Sequence, residues 1–479
     1  MGNDPELADP DGGDYRALRA TGYGCRVFGD GPAARPAAAA TATRPPVARP
    51  GRLDVGGVID QDTVWDAADI VMRSDVTVTG GATLTIAAGA TVTVDGFHRL
   101  LVEDGDLQAV GTGPDRIRFT SAEPAAWRPD LERAGAWNGL AFANVPAAND
   151  SSRLHWCVIE YAKALPGDAW IVPDSTQARP AGVLVGGVGG AVRVAGASPL
   201  SISHCVLRHN VAERGGAIGV HHGARPLLVN NLLHENHAAL RGGAAYLSCA
   251  DAVWIHDTVA ANDVAAPHGS VETGAIDHVF ARPWYTGCVV WGNTSSWYTD
   301  LQMREPKACN VVYSAVQDWL GGEGCLTDDP LLDDLLVPAE ESPVVDAASA
   351  AAAGPWLPAL DLAAGARVVG DGPDMGAFEA RSPTGQDAVG DVAAAAPSLG
   401  CWPNPFNPRT AVTVTMPVAG RARVDVCDLR GRRVDTLLDG ELTAGPHRVA
   451  WAPRLPSGAY LLVLRTADGR TALPVALVR

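Results

Sequence analysis

Long hydrophobic runs are missing from this 479-residue chain: no apolar stretch approaches the ~20 residues that a membrane-spanning helix requires. Basic residues are also scarce. Lys and Arg number 37 against 54 Asp and Glu, a net charge of −17, so nucleic acid is not an expected partner. An acidic surface of this kind suits solubility outside the cell. Nine cysteines are present but no C-x-x-C pair, which removes zinc ribbons and thioredoxin-type redox chemistry. Several cysteines stand beside aliphatic residues and read as small core groups; a Cys309–Cys325 loop disulfide stays open for an oxidising compartment. The first residues, MGNDPELADPDGGDY, have neither the basic nor the apolar region of a signal peptide. No G-x-S-x-G, H-E-x-x-H, Walker A or Ca²⁺-binding nonapeptide occurs. No cofactor is therefore expected, and Ca²⁺ is left open without a motif.

Glycine and proline are plentiful instead, at 53 and 35 residues. The stretch from Val76 to Val94, VTVTGGATLTIAAGATVTV, alternates apolar residues with Thr and is interrupted by Gly turns, as a series of short strands would be. The middle of the chain repeats. HCVLRHN, NNLLHEN, HDTVAAN and GCVVWGN end at Asn210, Asn236, Asn262 and Asn293, with steps of 26, 26 and 31 residues. A second column runs through Gly190, Gly216, Gly243 and Gly274-Ala275, and the two columns share the same insertion before the fourth copy. No helical periodicity and no leucine-rich pattern fits that spacing. Short strands joined by turns in ~26 residues fit a parallel β-helix, in which each coil buries its inner face only by stacking on its neighbours. Stacked about 4.8 Å apart, the four asparagines are expected to form an internal turn ladder, which outweighs a polar ligand row as their role.

The segments Asp328-Asp329-Pro330, Ser342-Pro343-Val344-Val345-Asp346 and Asp374-Met375-Gly376-Ala377-Phe378-Glu379 resemble the closing part of bacterial right-handed β-helix repeat proteins related to the chlamydial polymorphic outer-membrane group. Trp137-Asn138-Gly139-Leu140 matches a turn common in that family. The resemblance spans roughly 55–380 and implies an all-β fold, a right-handed parallel β-helix of the pectin-lyase-like type. Asp4-Pro5 through Gly13-Asp14-Tyr15-Arg16 resemble the tail of another such helix. On that resemblance residues 1–32 are the remnant of a preceding β-helix and Met1 is a fragment start. An Ala/Pro linker follows over 33–50, then the β-helix over 51–381 and a second linker over 382–400.

Residues 401–479 alternate apolar and polar positions in short runs separated by turns, the pattern of an Ig-like β-sandwich. Asn404-Pro405-Phe406-Asn407-Pro408, Gly431-Arg432, Gly445, His447, Trp451 and Gly458-Ala459-Tyr460 resemble the type A C-terminal sorting domain of type IX secretion and the Ig-like domain of flagellar hook-capping proteins. That resemblance implies an export address, an extracellular or outer-membrane-surface location and the export machinery as a partner.

No motif assigns a catalytic site. The segments after each Asn carry Glu213-Arg214, His237, Arg241, Asp263, His268 and Glu272, which stacking would place on one flank. Arg241, Asp263, His268 and Glu272 are the catalytic candidates. Glu213, Arg214 and His237, with Trp284, Tyr285, Trp297 and Tyr298, are the ligand-binding candidates, since aromatic faces beside charged groups suit sugar rings. An ordinary solvated flank with loop-packing aromatics is the stronger competitor. The expectation is a monomeric, non-catalytic adhesion or polysaccharide-binding protein. A polysaccharide lyase or glycoside hydrolase, and a purely structural surface component, are the alternatives.

Overall fold

The structure, a computed structural model, describes residues 51–143, 152–167, 170–172, 183–185, 187–196, 198–265, 274–295, 301–303, 310–317, 321–380, 398–402, 410–416, 420–428, 432–442, 445–451, 453, 455–456, 458–466 and 469–477. The chain divides into two compact units, the larger holding the repeats and the smaller the C-terminal strands.

The larger unit is a parallel β-helix. One coil runs through Val192–Ala195 (face A), Leu200–Ser203 (face B), Val206–Arg208 (face C) and Val211–Arg214 (face D). The next coil repeats this as Ile218–His221, Leu227–Val229, Leu232–His234 and His237–Arg241. Successive coils pair in parallel, Val192 with Ile218, Ile202 with Leu228, Val206 with Leu232 and Val211 with His237. Faces A and C belong to one 17-stranded sheet because the long early strand Asp69–Val78 contributes to both: Asp69 pairs with Thr91 and Val76 with Leu100. Face B is a nine-stranded sheet and face D a five-stranded one.

The strand alternation of the sequence fills the interior. Leu200 and Ile202 point inward while Ser201 and Ser203 stay half-buried outside. Trp137 and Trp254 are the largest fully buried side chains among the described residues, and they stack on Phe119 and Tyr285 at 6.3 and 5.7 Å between ring centroids. Corners demand left-handed backbone. One column of such residues, Trp156, His204, Asn230 and His256, turns face B into face C with φ of 51–59°. A second column, Tyr161, His209, Glu235 and Ala261, turns face C into face D. The paired glycines serve the turn into face A: Gly215 has φ +65°, and a Cβ on Gly216 would meet the Gly243 carbonyl oxygen at 2.2 Å.

Two polar ladders run inside the coils. In the first, Nδ2 of Asn210, Asn236 and Asn262 donates to Oδ1 of the next Asn at 3.0, 2.9 and 2.8 Å, ending on Asn293. The backbone N–H groups of Asn210, Asn236 and Asn262 donate to the same oxygens. The second ladder has mixed chemistry. Cys157 N–H points to Cys205 Sγ, Cys205 N–H to Asn231 Oδ1, Asn231 N–H to Asp257 Oδ1 and, higher up, Cys288 N–H to Ser314 Oγ. The cysteines here are buried, free thiols. Cys325 is also a free thiol, while Cys309 lies outside the described residues.

After the last coils the chain turns back along the outside of the B–C corner as a strap. Gly376 N–H donates to Gly287 O, Arg367 reaches His256 and Asn230, Leu360 O receives His204, and Leu362 O accepts from Arg116. These contacts span six coil levels, about 24 Å at the usual strand spacing. The short helix Ala350–Ala353 and Trp356 cover Val229 and Ile255 on face B, while Val344 and Met375 cover Val289 and Ala315 on face C. No helix among the described residues is long and apolar enough to cross a membrane.

Among the described residues the smaller unit forms seven antiparallel strands in sheets of three and four. Val412 and Val414 of one sheet and Val424, Val426, Leu462 and Leu464 of the other share a single apolar core.

Candidate functional site

Face D carries the flank that the repeat spacing singles out. The segments after each Asn are not free loops: they pair as short strands, Val211 with His237 and His237 with Asp263. This register sets His237 Nδ1 3.0 Å from Asp263 Oδ2, and Thr294 Oγ1 donates to the other oxygen of Asp263 at 3.0 Å. Arg214 pairs with Glu213 at 2.9 Å, and Arg241 stands 3.7 Å from the buried Asp277. Arg241 and Asp263 are therefore held by different partners. His268, Glu272, Trp297 and Tyr298 lie outside the described residues.

The aromatic candidates at 284–285 require correction. Their strand, Trp284–Thr286, belongs to face B and not to the face D flank. Tyr285 is 1 % exposed, and its hydroxyl lies 2.6 Å from His278 Nε2 inside the coil. Period-two alternation sends Tyr285 inward and leaves only Trp284 half-buried on the outer side. Tyr285 is a core residue and presents no face to a ligand.

A denser group of polar and aromatic side chains sits at the C–D corner. Parallel pairing puts Glu160 of the strand Cys157–Glu160 beside Arg208. Glu160 is fully buried: Oε1 accepts from Arg118 Nε at 2.8 Å and Thr120 Oγ1 at 3.0 Å, and Oε2 from Arg208 Nε at 2.9 Å. Burial pushes its pKa up, but Arg208 and Arg118 outweigh that and hold it below the ordinary value. Glu160 is thus an ionised, fully engaged carboxylate with no proton to give.

Beside it, Tyr161 and His209 stack at 5.4 Å with 10° between planes, and Trp127 meets Tyr161 edgewise at 5.8 Å and His209 at a tilt at 5.7 Å. His209 Nε2 and His234 Nδ1 lie 3.4 and 3.5 Å from the same oxygen of the exposed Glu235. Desolvation lowers the pKa of both imidazoles, that of His234 to about 4. Packing against the corner partly desolvates the Glu235 carboxyl, although its side chain is half exposed, and this raises it, but His209, His234 and Arg208 together bring it below its usual value. The corner pairs ionised carboxylates with neutral imidazoles, so no carboxylic acid is kept protonated beside an ionised one. Among the described residues no group of three or more His, Cys, Asp or Glu is arranged to hold a metal ion.

The carboxyl groups that burial raises lie elsewhere. Burial raises Asp257 to about 8 within the second ladder and Glu379 to about 7 in the strap. Glu379 accepts from Asp374 N–H and stands 3.2 Å from Arg367 Nε; Arg367 also donates to Asn230 and Asp374. The acidic motif at 374–379 thereby fastens the strap to the coils.

In the smaller unit Trp451 is buried and donates Nε1–H to Asp435 at 3.3 Å, and the Tyr460 hydroxyl donates to Pro456 O at 2.8 Å. Gly445 pairs with Met416, His447 with Val414 and Gly458 with Leu477, while Arg432 is exposed. Asn404 to Pro408 and Gly431 lie outside the described residues. No family model matches the chain, and no curated protein sequence matches it.

Proposed function

We propose that this chain is a secreted or cell-surface β-helix protein that binds glycan without transforming it and is exported through its C-terminal unit. The C–D corner carries this reading: Trp127, Tyr161 and His209 offer stacked rings beside Arg208 and Glu235. Ring faces suit the C–H faces of sugars, and the flanking charges suit their hydroxyl or carboxylate groups. The ionised state of Glu160 and Glu235 speaks against acid–base hydrolysis there, which needs one carboxylic acid. The export half of the reading rests on the motif residues of 401–479.

Retention of the full chain on immobilised plant, algal and bacterial polysaccharides tests the proposal. Trp127→Ala and Tyr161→Ala are each expected to weaken retention on the bound polymer by roughly tenfold, about 1.4 kcal/mol. Unchanged retention rules the corner out, and release of reducing ends or unsaturated sugars rules out the non-catalytic reading. Such products would favour the second reading, a lyase or hydrolase on face D, where Asp263 orients the His237 imidazole; they would then be lost on His237→Ala.

A further inference from the structure

Charge is distributed unevenly along this acidic chain. Residues 398–479 contain eleven Arg, no Lys and six Asp or Glu, giving +5 within a chain of −17. The four-stranded sheet gathers part of that excess on the face opposite its core. Val424, Val426 and Leu464 point inward, so Arg421, Arg423 and Arg465 point outward, and Arg470 pairs in register with Arg465. Asp425, 5 % exposed, organises the group: Arg423 lies 3.0 Å, Arg465 3.8 Å and Arg433 3.9 Å from its carboxylate. Thr436 and Arg423 more than offset the burial of Asp425 and hold it ionised. One carboxylate thus fixes three guanidinium groups, of which the exposed Arg433 and Arg465 keep donors for outside carboxylates. Asp439, paired with Arg421 and Arg423, leaves the group with a positive excess.

The complementary surface is present on the same sequence. Between Lys307 and Arg367 there is no Lys or Arg. Within that stretch Glu323, Asp328, Asp329, Asp334, Glu340 and Glu341 are all exposed. We infer that the arginine face of the C-terminal unit docks on the acidic closing segment, around residues 323–341, of a second copy of this chain. The two surfaces are different patches, so the contact is heterologous and head-to-tail, and it propagates into a chain of copies unless a ring closes. Arginine favours this use over lysine because its planar fork takes a carboxylate bidentately. This inference is independent of glycan binding at the C–D corner.

Light scattering of the full chain after gel filtration at about 0.15 M ionic strength, where screening acts over about 8 Å, tests the contact. The expected result is a weight-average mass at least twice that of one chain, falling to one chain in high salt. Two charge-reversed variants are compared, one with Arg421→Glu, Arg465→Glu and Arg470→Glu, the other with Asp328→Lys, Asp329→Lys, Glu340→Lys and Glu341→Lys. Each alone should reduce self-association at least tenfold, and mixing the two should restore a complex, which a misfolded variant would not do. A single-chain mass at every concentration overturns the inference, as does undiminished assembly of either variant. Loss of retention on immobilised polygalacturonate by the arginine variant, with the parent chain remaining single, would assign the face to an acidic glycan and overturn it equally.

Discussion

Asp257 lies one coil beyond Asn231, and its Oδ1 accepts both the backbone and the side-chain N–H of Asn231 at 2.8 Å each. Burial keeps the carboxyl protonated, with a pKa of about 8 against 3.8 for the unperturbed group. A folded-state pKa above the unfolded one gives stability that is complete below about 4 and is lost as pH rises through about 8. Asp257→Asn keeps an oxygen for Asn231 without ionising. It should raise the urea midpoint at pH 8 by an amount corresponding to a few kcal/mol, and change it little at pH 4. Equal shifts at both pH values would mean that Asp257 does not carry this penalty.

The asparagine ladder should behave as a chain of shared bonds. Asn236 donates to Asn262 and accepts from Asn210 through both N–H groups. Asn236→Ala leaves buried donors unsatisfied and should cost on the order of 2–4 kcal/mol in urea unfolding. Adding Asn262→Ala should cost less than the sum of the single changes, because the two residues share a bond. Strict additivity would show that the rungs act separately.

Release of the strap should be separable from loss of the coils. Arg367 is 1 % exposed and contacts Asn230, His256, Asp374 and Glu379. Arg367→Met removes a buried cation and strands Glu379, whose carboxyl must then stay protonated. Limited proteolysis should cut within 326–380 first, with the β-sheet circular dichroism retained. Proteolysis spread over the coils would mean that the strap and the coils unfold together.

Acid should weaken the larger unit through its histidines. Burial lowers His204 and His234 to about 4 and His221 to about 3. Because the folded-state values lie below the ordinary 6.5, these groups leave stability intact above about 6.5 and remove it as pH falls toward about 4. Thermal midpoints should fall across that window. His204→Asn, which suits the left-handed backbone as Asn230 does one coil on, should flatten the slope. An unchanged slope would exclude His204 as a contributor.

The repeat was legible because its signals are backbone demands that recur at fixed spacing. Asn at 210, 236, 262 and 293, and the glycine pairs, are required wherever a coil turns, and stacking converts their period into an architecture. The strand alternation likewise marks which side chains enter the core. The second ladder escaped notice because Cys205, Asn231, Asp257 and Ser314 meet one geometric need with four residue types. The strap's closing motif was visible, but not that it returns over six coils.

What belongs to the sequence by itself is the all-β class, the ~26-residue coil, the two-unit division and the charge contrast between the units. Tertiary structure alone decided which side chains meet. Arg118, Glu160 and Arg208 lie 42 and 48 positions apart along the chain and become neighbours only because parallel coils stack Glu160 directly beside Arg208 and diagonally from Arg118. Trp284 and Tyr285 show the same rule in reverse: they follow the face D strand Asp263–Val264 in sequence, but the face A strand Ile276–Val279 intervenes and they stand on face B, where alternation buries one and not the other. In a solenoid, distance along the chain counts only modulo the coil, and corner geometry sets that remainder.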